Sequence, residues 1–241
     1  MSEIYGIVIN CQEYKDYDAI IDILTEDKVV PVWVRNANKP GSKFIQFLPI
    51  FTRGHFELYK GGYKYYKLKD GLVDNTLLPF YQKTFRVFYY TLIKELYDKT
   101  YSTDIPDRFY KVLNETLNEV NSNIELSFVT LNFVVNLIKI IGYAINVENH
   151  ENAVAIDFSN GCFVDEKQFD ELTMVYLSAA EVDLIYNLFT KNQNEVINEK
   201  NDIKSNLKLI KLLCDFLIYY NGIEINCFTY LDFITDTLIV G

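Results

Sequence analysis

Residues 29–70 read VVPVWVRNANKPGSKFIQFLPIFTRGHFELYKGGYKYYKLKD, short β-branched and aromatic runs broken by turn formers. Residues 29–34 (VVPVWV) form a predicted strand, and Pro31 within it implies a free edge or a bulge, because proline brings no N–H to a ladder. Residues 51–59 alternate in part, with Phe56 and Leu58 sharing a face. Gly61 and Gly62 then offer two positions that accept positive φ without steric cost, which suits a tight hairpin whose return strand is 63–68.

Working outward from this stretch, residues 4–9 and 17–24 (YDAIIDIL) are two further strands upstream. Five strands within roughly 70 residues, with no helical period between them, predict a small closed or partly open barrel. The loop 35–43 (RNANKPGSK) collects turn formers around Pro40 and Gly41 and carries Arg35, Lys39 and Lys43 with no acid nearby. Loops on a rigid β-scaffold are where binding sites concentrate.

The charge of the same stretch points to a polyanion. From Lys28 to Lys69 it holds nine basic residues against the single acid Glu57, a local charge of +8 in a chain of formal charge -10. A field that local survives screening only at its own surface. A solvated lysine-rich face is the alternative that charge alone leaves open. On the return strand, alternation puts Tyr63, Tyr65, Lys67 and Lys69 on one face and Lys64, Tyr66 and Leu68 on the other. Rings interleaved with ammonium groups suit single-stranded nucleic acid, where bases stack and cations follow phosphates; packing is the alternative for strand tyrosines. The expected contact set is Arg35, Lys39, Lys43, Arg53, Lys64, Tyr65, Lys67 and Lys69.

Downstream the character changes. Residues 1–80 balance ten basic against ten acidic side chains, so 81–241 carry the whole -10, which favours a boundary near residues 78–80. Residues 80–101 place Phe85, Phe88, Leu92 and Leu96 on one helical face; Pro106 opens a helix striped by Leu113, Leu117 and Val120; residues 126–141 are apolar nearly all round, stopped by Gly142. Ser178 with Glu181 makes a capping box before Val182, Ile185, Leu188 and Phe189, and Asn221-Gly222 ends a helix over 203–220. The fold class is therefore α+β: an N-terminal barrel over 1–79, then an all-α domain over 80–241. Residues 148–200, with eleven acids and three lysines, are a solvated surface, a docking surface for a basic partner, or a region that repels DNA.

Enzyme chemistry finds little support, with no phosphate loop, no GxSxG, no HExxH and only His55 and His150 as histidines. Asp16, Asp18 and Asp22 could build a magnesium-dependent nuclease, but no second acidic motif accompanies them. The chain is read as a non-enzyme; a helical protein-interaction adaptor remains the other alternative, although it leaves the +8 stretch unexplained. Cys11, Cys162, Cys214 and Cys227 form no CxxC pair and are expected to be buried thiols of a cytoplasmic, nucleoid-associated protein. The start MSEIYGIVIN lacks the marks of a secretory signal, and the longest uncharged run, 126–138, falls short of the roughly 20 residues a membrane span needs.

Several stretches together resemble RecO, the bacterial recombination mediator family. They are the opening Gly6, Ile7 and Val8; Tyr14, Asp16 and Asp18 before the second strand; ILTE at 23–26; the basic Lys39, Pro40, Gly41 and Ser42; the strand-turn-strand near 56–68; and LIKIIGY at 137–143. In many RecO proteins a zinc site with two pairs of cysteines follows, whereas 144–166 here read AINVENHENAVAIDFSNGCFVDE. His150 and Cys162 provide at most two of the four ligands a structural zinc needs, so this segment resembles a zinc-less knuckle, with His150 at the surface and no metal or other cofactor expected. The resemblance implies an N-terminal OB-fold and a helical C-terminal domain. It also implies binding of single- and double-stranded DNA, annealing, and partnership with RecR and single-strand-binding protein in loading recombinase, with no catalytic residues.

Overall fold

In the computed structural model, residues 2–60, 65–75, 84–120, 124–191 and 202–229 are described. The chain divides into two compact units, Met1–Val87 with Tyr101–Leu117, and Phe88–Thr100 with Asn118–Gly241.

Five strands build the first unit: β1 (Ser2–Tyr14), β2 (Asp18–Leu24), β3 (Val29–Val34), β4 (Arg53–Lys60) and β5 (Tyr66–Asn75). They close a barrel in the order β1-β2-β3-β5-β4, all antiparallel except the short parallel β3–β5 ladder that pairs Val32 with Tyr66 and Trp33 with Lys67. This is the OB arrangement expected from the sequence. Alternation sets the inside: Val30, Val32 and Val34 from β3, and Phe56 and Leu58 from β4, are buried with Ala19, Ile21 and Ile23 from β2. Phe47, from the short 3-10 turn Ile45–Phe47, is fully buried with its ring 5.7 Å from that of Phe56. Truncating either ring to alanine would cost about 3–5 kcal/mol, the usual range for a buried aromatic. Pro31 stays in register with Asp22 on β2, and the β3–β5 ladder uses only the two residues that follow it, so the proline disturbs no pairing with β5.

The β4–β5 hairpin requires glycine where its chains cross closest. A Cβ on Gly54 would lie 2.1 Å from the Leu72 carbonyl oxygen. The Gly61-Gly62 turn, Tyr63 and Lys64 lie outside the described residues.

Helices follow as α1 (Thr84–Thr100), α2 (Pro106–Val120), α3 (Leu126–Ile140), α4 (Ala179–Thr190) and α5 (Ile203–Asn221). Phe88, Leu92 and Leu96 of α1 and Leu113, Leu117 and Val120 of α2 are buried as their spacing predicts; the side chain of Phe85 lies outside the description. Within the first unit, Arg53 Nη1 of β4 donates to Asn114 Oδ1 of α2 at 2.8 Å.

In the second unit α3 is the central helix, buried around its circumference from Ser127 to Ile138 apart from Asn136. The Glu125 carboxylate caps it, accepting from the Ser127 and Phe128 N–H groups at 2.8 and 3.2 Å. Asn206 of α5 donates to the Ser127 hydroxyl at 2.9 Å. Gly142 after α3 and Gly222 after α5 take positive φ, 89° and 63°, the left-handed caps their sequences announce. The unit also carries a hairpin, β6 (Ala153–Asp157) and β7 (Cys162–Asp165), within the segment the sequence reading treated only as a knuckle. Among the described residues no helix is long and apolar enough to cross a membrane.

Candidate nucleic-acid interface

The site begins with a consequence of alternation. Because valines 30, 32 and 34 fill the barrel, Trp33 must point outward from β3, and it is half-buried there. Cross-strand register lines it up with Ile20 on β2, Lys67 on β5 and, through Lys67, Tyr59 on β4. The β1–β2 turn brings Lys15 and Tyr14 to the same ring. Lys15 Nζ sits 5.2 Å and Lys67 Nζ 4.5 Å from the Trp33 centroid, while Tyr14 meets it edge-on at 6.0 Å. The two ammonium groups also approach the rings of Tyr14 and Tyr59, at 5.2 and 6.0 Å. One carboxylate fixes the indole: Trp33 Nε1 donates to Asp18 Oδ2 at 2.8 Å, and Asp18 Oδ1 accepts the Asn36 N–H at 2.8 Å. Rings and cations from the β1–β2 turn, β4 and β5 thus gather around Trp33 of β3, and the β2–β3 face with the β1–β2 loop is where OB barrels generally take oligonucleotides.

The residues expected from sequence fall in different environments. Arg35 and Lys39 are exposed on the loop after β3 and enter none of the ion pairs among the described residues. Lys43 pairs with Asp70 at 2.8 Å, and that ammonium, with the Gly71 N–H, holds the Asp70 carboxyl below the ordinary carboxylate range. Lys69 pairs with Glu57 at 3.4 Å, at an irregularity where Glu57 and Leu58 oppose Asp70 and Leu68. Arg53 is half-buried and bonded to Asn114. Tyr65 is partly buried just before β5, and Lys64 lies outside the described residues. Lys67 is the member of the expected set that joins the aromatic cluster among the described residues. Lys15, Tyr14, Trp33 and Tyr59 were missed, because both faces of VVPVWV are apolar and only the burial of Val30, Val32 and Val34 shows that Trp33 points outward.

The acids proposed for a nuclease do not converge. Asp18 is engaged by Trp33 and Asn36, and Asp22 accepts from Asn10 Nδ2 at 3.1 Å. Among the described residues no group of three His, Cys, Asp or Glu side chains could hold a metal ion. Two expectations about the knuckle segment need correction. Cys162, like Cys11, is only partly buried, and His150 is half-buried with its ring stacked 3.7 Å from Tyr186. The stacking partner, on α4, is distant in sequence and could not be read from the segment itself. Cys214 and Cys227 are buried thiols as expected, and burial pushes both thiols up, that of Cys227 to about 12.

Fold and surface together define an OB-barrel protein with an outward aromatic and cationic patch, continued by a helical unit. Residues 1–76, the stretch that holds the five barrel strands, match the family model described as Recombination protein O N terminal. The chain is similar to DNA repair protein RecO of Streptococcus agalactiae, serotypes V and III, each 26% identical over 174 residues, and to that of serotype Ia at 28%. These matches cover 66% of this chain and 65% of each relative, so the chain aligns with just under two thirds of their length. The RecO resemblance read from the residues stands.

Proposed function

We propose that this chain is a DNA-binding protein of recombinational repair that binds single-stranded DNA through its barrel, anneals complementary strands, and helps load recombinase with RecR and single-strand-binding protein. The observation that carries the reading is the family match of residues 1–76, which falls on the barrel whose outer surface bears the cations and rings. The relatives are named for DNA repair. Arg35 and Lys39 contact phosphate from the loop after β3, joined by Lys67, Lys64 and Tyr65. Lys43 and Lys69 contribute by exchanging Asp70 and Glu57 for phosphate, and Arg53 mainly supports the barrel. Residues 80–241 form the helical part, where partner proteins dock. The protein works in the cytoplasm on the nucleoid, without a catalytic step of its own. Fluorescence anisotropy with labelled single-stranded DNA tests the reading: saturable, salt-sensitive binding is expected.

The ion pairs of Lys43 and Lys69 favour one second reading, because they neutralise part of the basic stretch. In it the chain is a protein-interaction adaptor, and labelled DNA gives no signal at any salt.

A further inference from the structure

We propose that Trp33 is a stacking platform for an unpaired base of single-stranded DNA, with Lys15 and Lys67 moving from its ring to the phosphates on either side. The inference rests on the DNA-binding reading above and adds which ring takes the base and which strand state is preferred.

Three features of the ring lead there. Its edge is locked by Asp18, so the indole plane is set before any ligand arrives and little side-chain freedom remains to be lost. Its neighbours are ammonium groups on flexible stems, which are mobile covers compared with a packed apolar side chain. When a base takes the face of the ring, those cations remain within reach of the sugar-phosphate chain they then neutralise. The register supplies a second ring: Tyr59 lies two strand spacings from Trp33, about 10 Å across Lys67, and its side chain is exposed. The order ring, lysine, ring across three strands matches a strand that alternates bases and phosphates. A duplex keeps its base faces covered by their neighbours, so an outward ring on a convex barrel has nothing to stack against. Stacking of this kind tolerates any base, because each has a π-face.

The chain has one tryptophan, so its emission reports on this ring alone. Full-length protein is titrated with oligodeoxythymidylate of about 20 nucleotides, longer than the roughly 4–16 nucleotides one OB-fold covers. An abasic oligonucleotide of equal length and a blunt duplex are the other two probes, and anisotropy is recorded in parallel. Quenching by oligodeoxythymidylate that tracks the anisotropy isotherm is expected, with weak abasic binding that leaves emission unmoved and no quenching by duplex. Trp33→Ala should weaken oligodeoxythymidylate binding about 5- to 150-fold, the usual effect of removing a stacked ring, and Trp33→Phe should recover most of it. Binding without quenching, or equal quenching by the abasic strand, overturns the platform while DNA binding stands. An absence of binding to all three probes overturns the DNA-binding reading itself. Should Trp33→Ala fail to fold, wild-type quenching and Trp33→Phe affinity decide.

Discussion

Asp18→Ala removes the carboxylate that holds Trp33, and its effect can be worked from two distances. The side chain is 9% exposed and accepts two N–H groups at 2.8 Å, from the indole and from Asn36. Hydrogen bonds to a charged group contribute about 1.5–3 kcal/mol each when fully sheltered. Both donors here are partly solvated, since Trp33 is half-buried and Asn36 exposed, so water recovers part of each bond. A net loss of about 2 kcal/mol remains after that discount. For a chain of this size that corresponds to a drop in Tm of about 4–8 °C. Thermal melting by circular dichroism reads the stability, and acrylamide quenching of the single tryptophan reads the freed ring. Asp16→Ala, in the exposed turn two residues earlier, should stay within about 0.5 kcal/mol of wild type and is the control. Wild-type melting and quenching in Asp18→Ala would refute the claim that this carboxylate positions the platform.

Three further outcomes follow from packing and charge. Glu181 is buried, which alone would raise its carboxyl, yet bonds from Lys208 and Ser178 outweigh burial and hold it below the ordinary range. A carboxyl lowered in the fold stabilises above its unfolded value of about 4.3, and that stabilisation is lost as pH falls through the folded value. Glu181→Gln should therefore unfold in urea about 2 kcal/mol more easily at neutral pH and converge on wild type in acid; a constant gap would contradict this. Gly54→Ala must push β4 from β5 to relieve a 2.1 Å approach to Leu72, and a loss of about 1–3 kcal/mol in thermal melts is expected. Chelation should leave the melting curve unchanged, because His150 is stacked on Tyr186 and Cys162 lies in the hairpin opposite Asp157; one zinc per chain by elemental analysis, lost together with structure, would overturn that.

The barrel was legible because its signals are local: valines at every second position, a proline at a strand, turn formers between runs. Helix ends were equally plain, since Ser178 with Glu181 and Gly222 act within a single turn of chain. What the sequence hid is set by pairing at long range. The local charge of +8 suggested one concentrated basic field, but Asp70 and Glu57 fold back onto Lys43 and Lys69, and Arg53 turns to Asn114. The real cluster joins the β1–β2 turn, β3, β4 and β5 around Trp33. Only the barrel's register brings Lys15 and Lys67, far apart in the chain, to the same ring. The irregularity at Glu57 and Leu58 likewise moved Lys69 out of the alternation assumed for the return strand.

The central claim, that the barrel's cations meet phosphate, is tested most directly by anisotropy with single-stranded DNA over a salt series. Each phosphate contact on a single strand adds about 0.7 to the slope of log affinity against log salt. Arg35→Ala with Lys39→Ala should lower that slope by about 1.4, so a fourfold rise in salt weakens the variant about sevenfold less than wild type. Adding Lys43→Ala should lower the slope by about 0.7 more, because Lys43 exchanges Asp70 for phosphate on binding. A folded double variant with the wild-type slope would move the contact off this loop, and a wild-type chain that gives no signal at any salt would contradict the account.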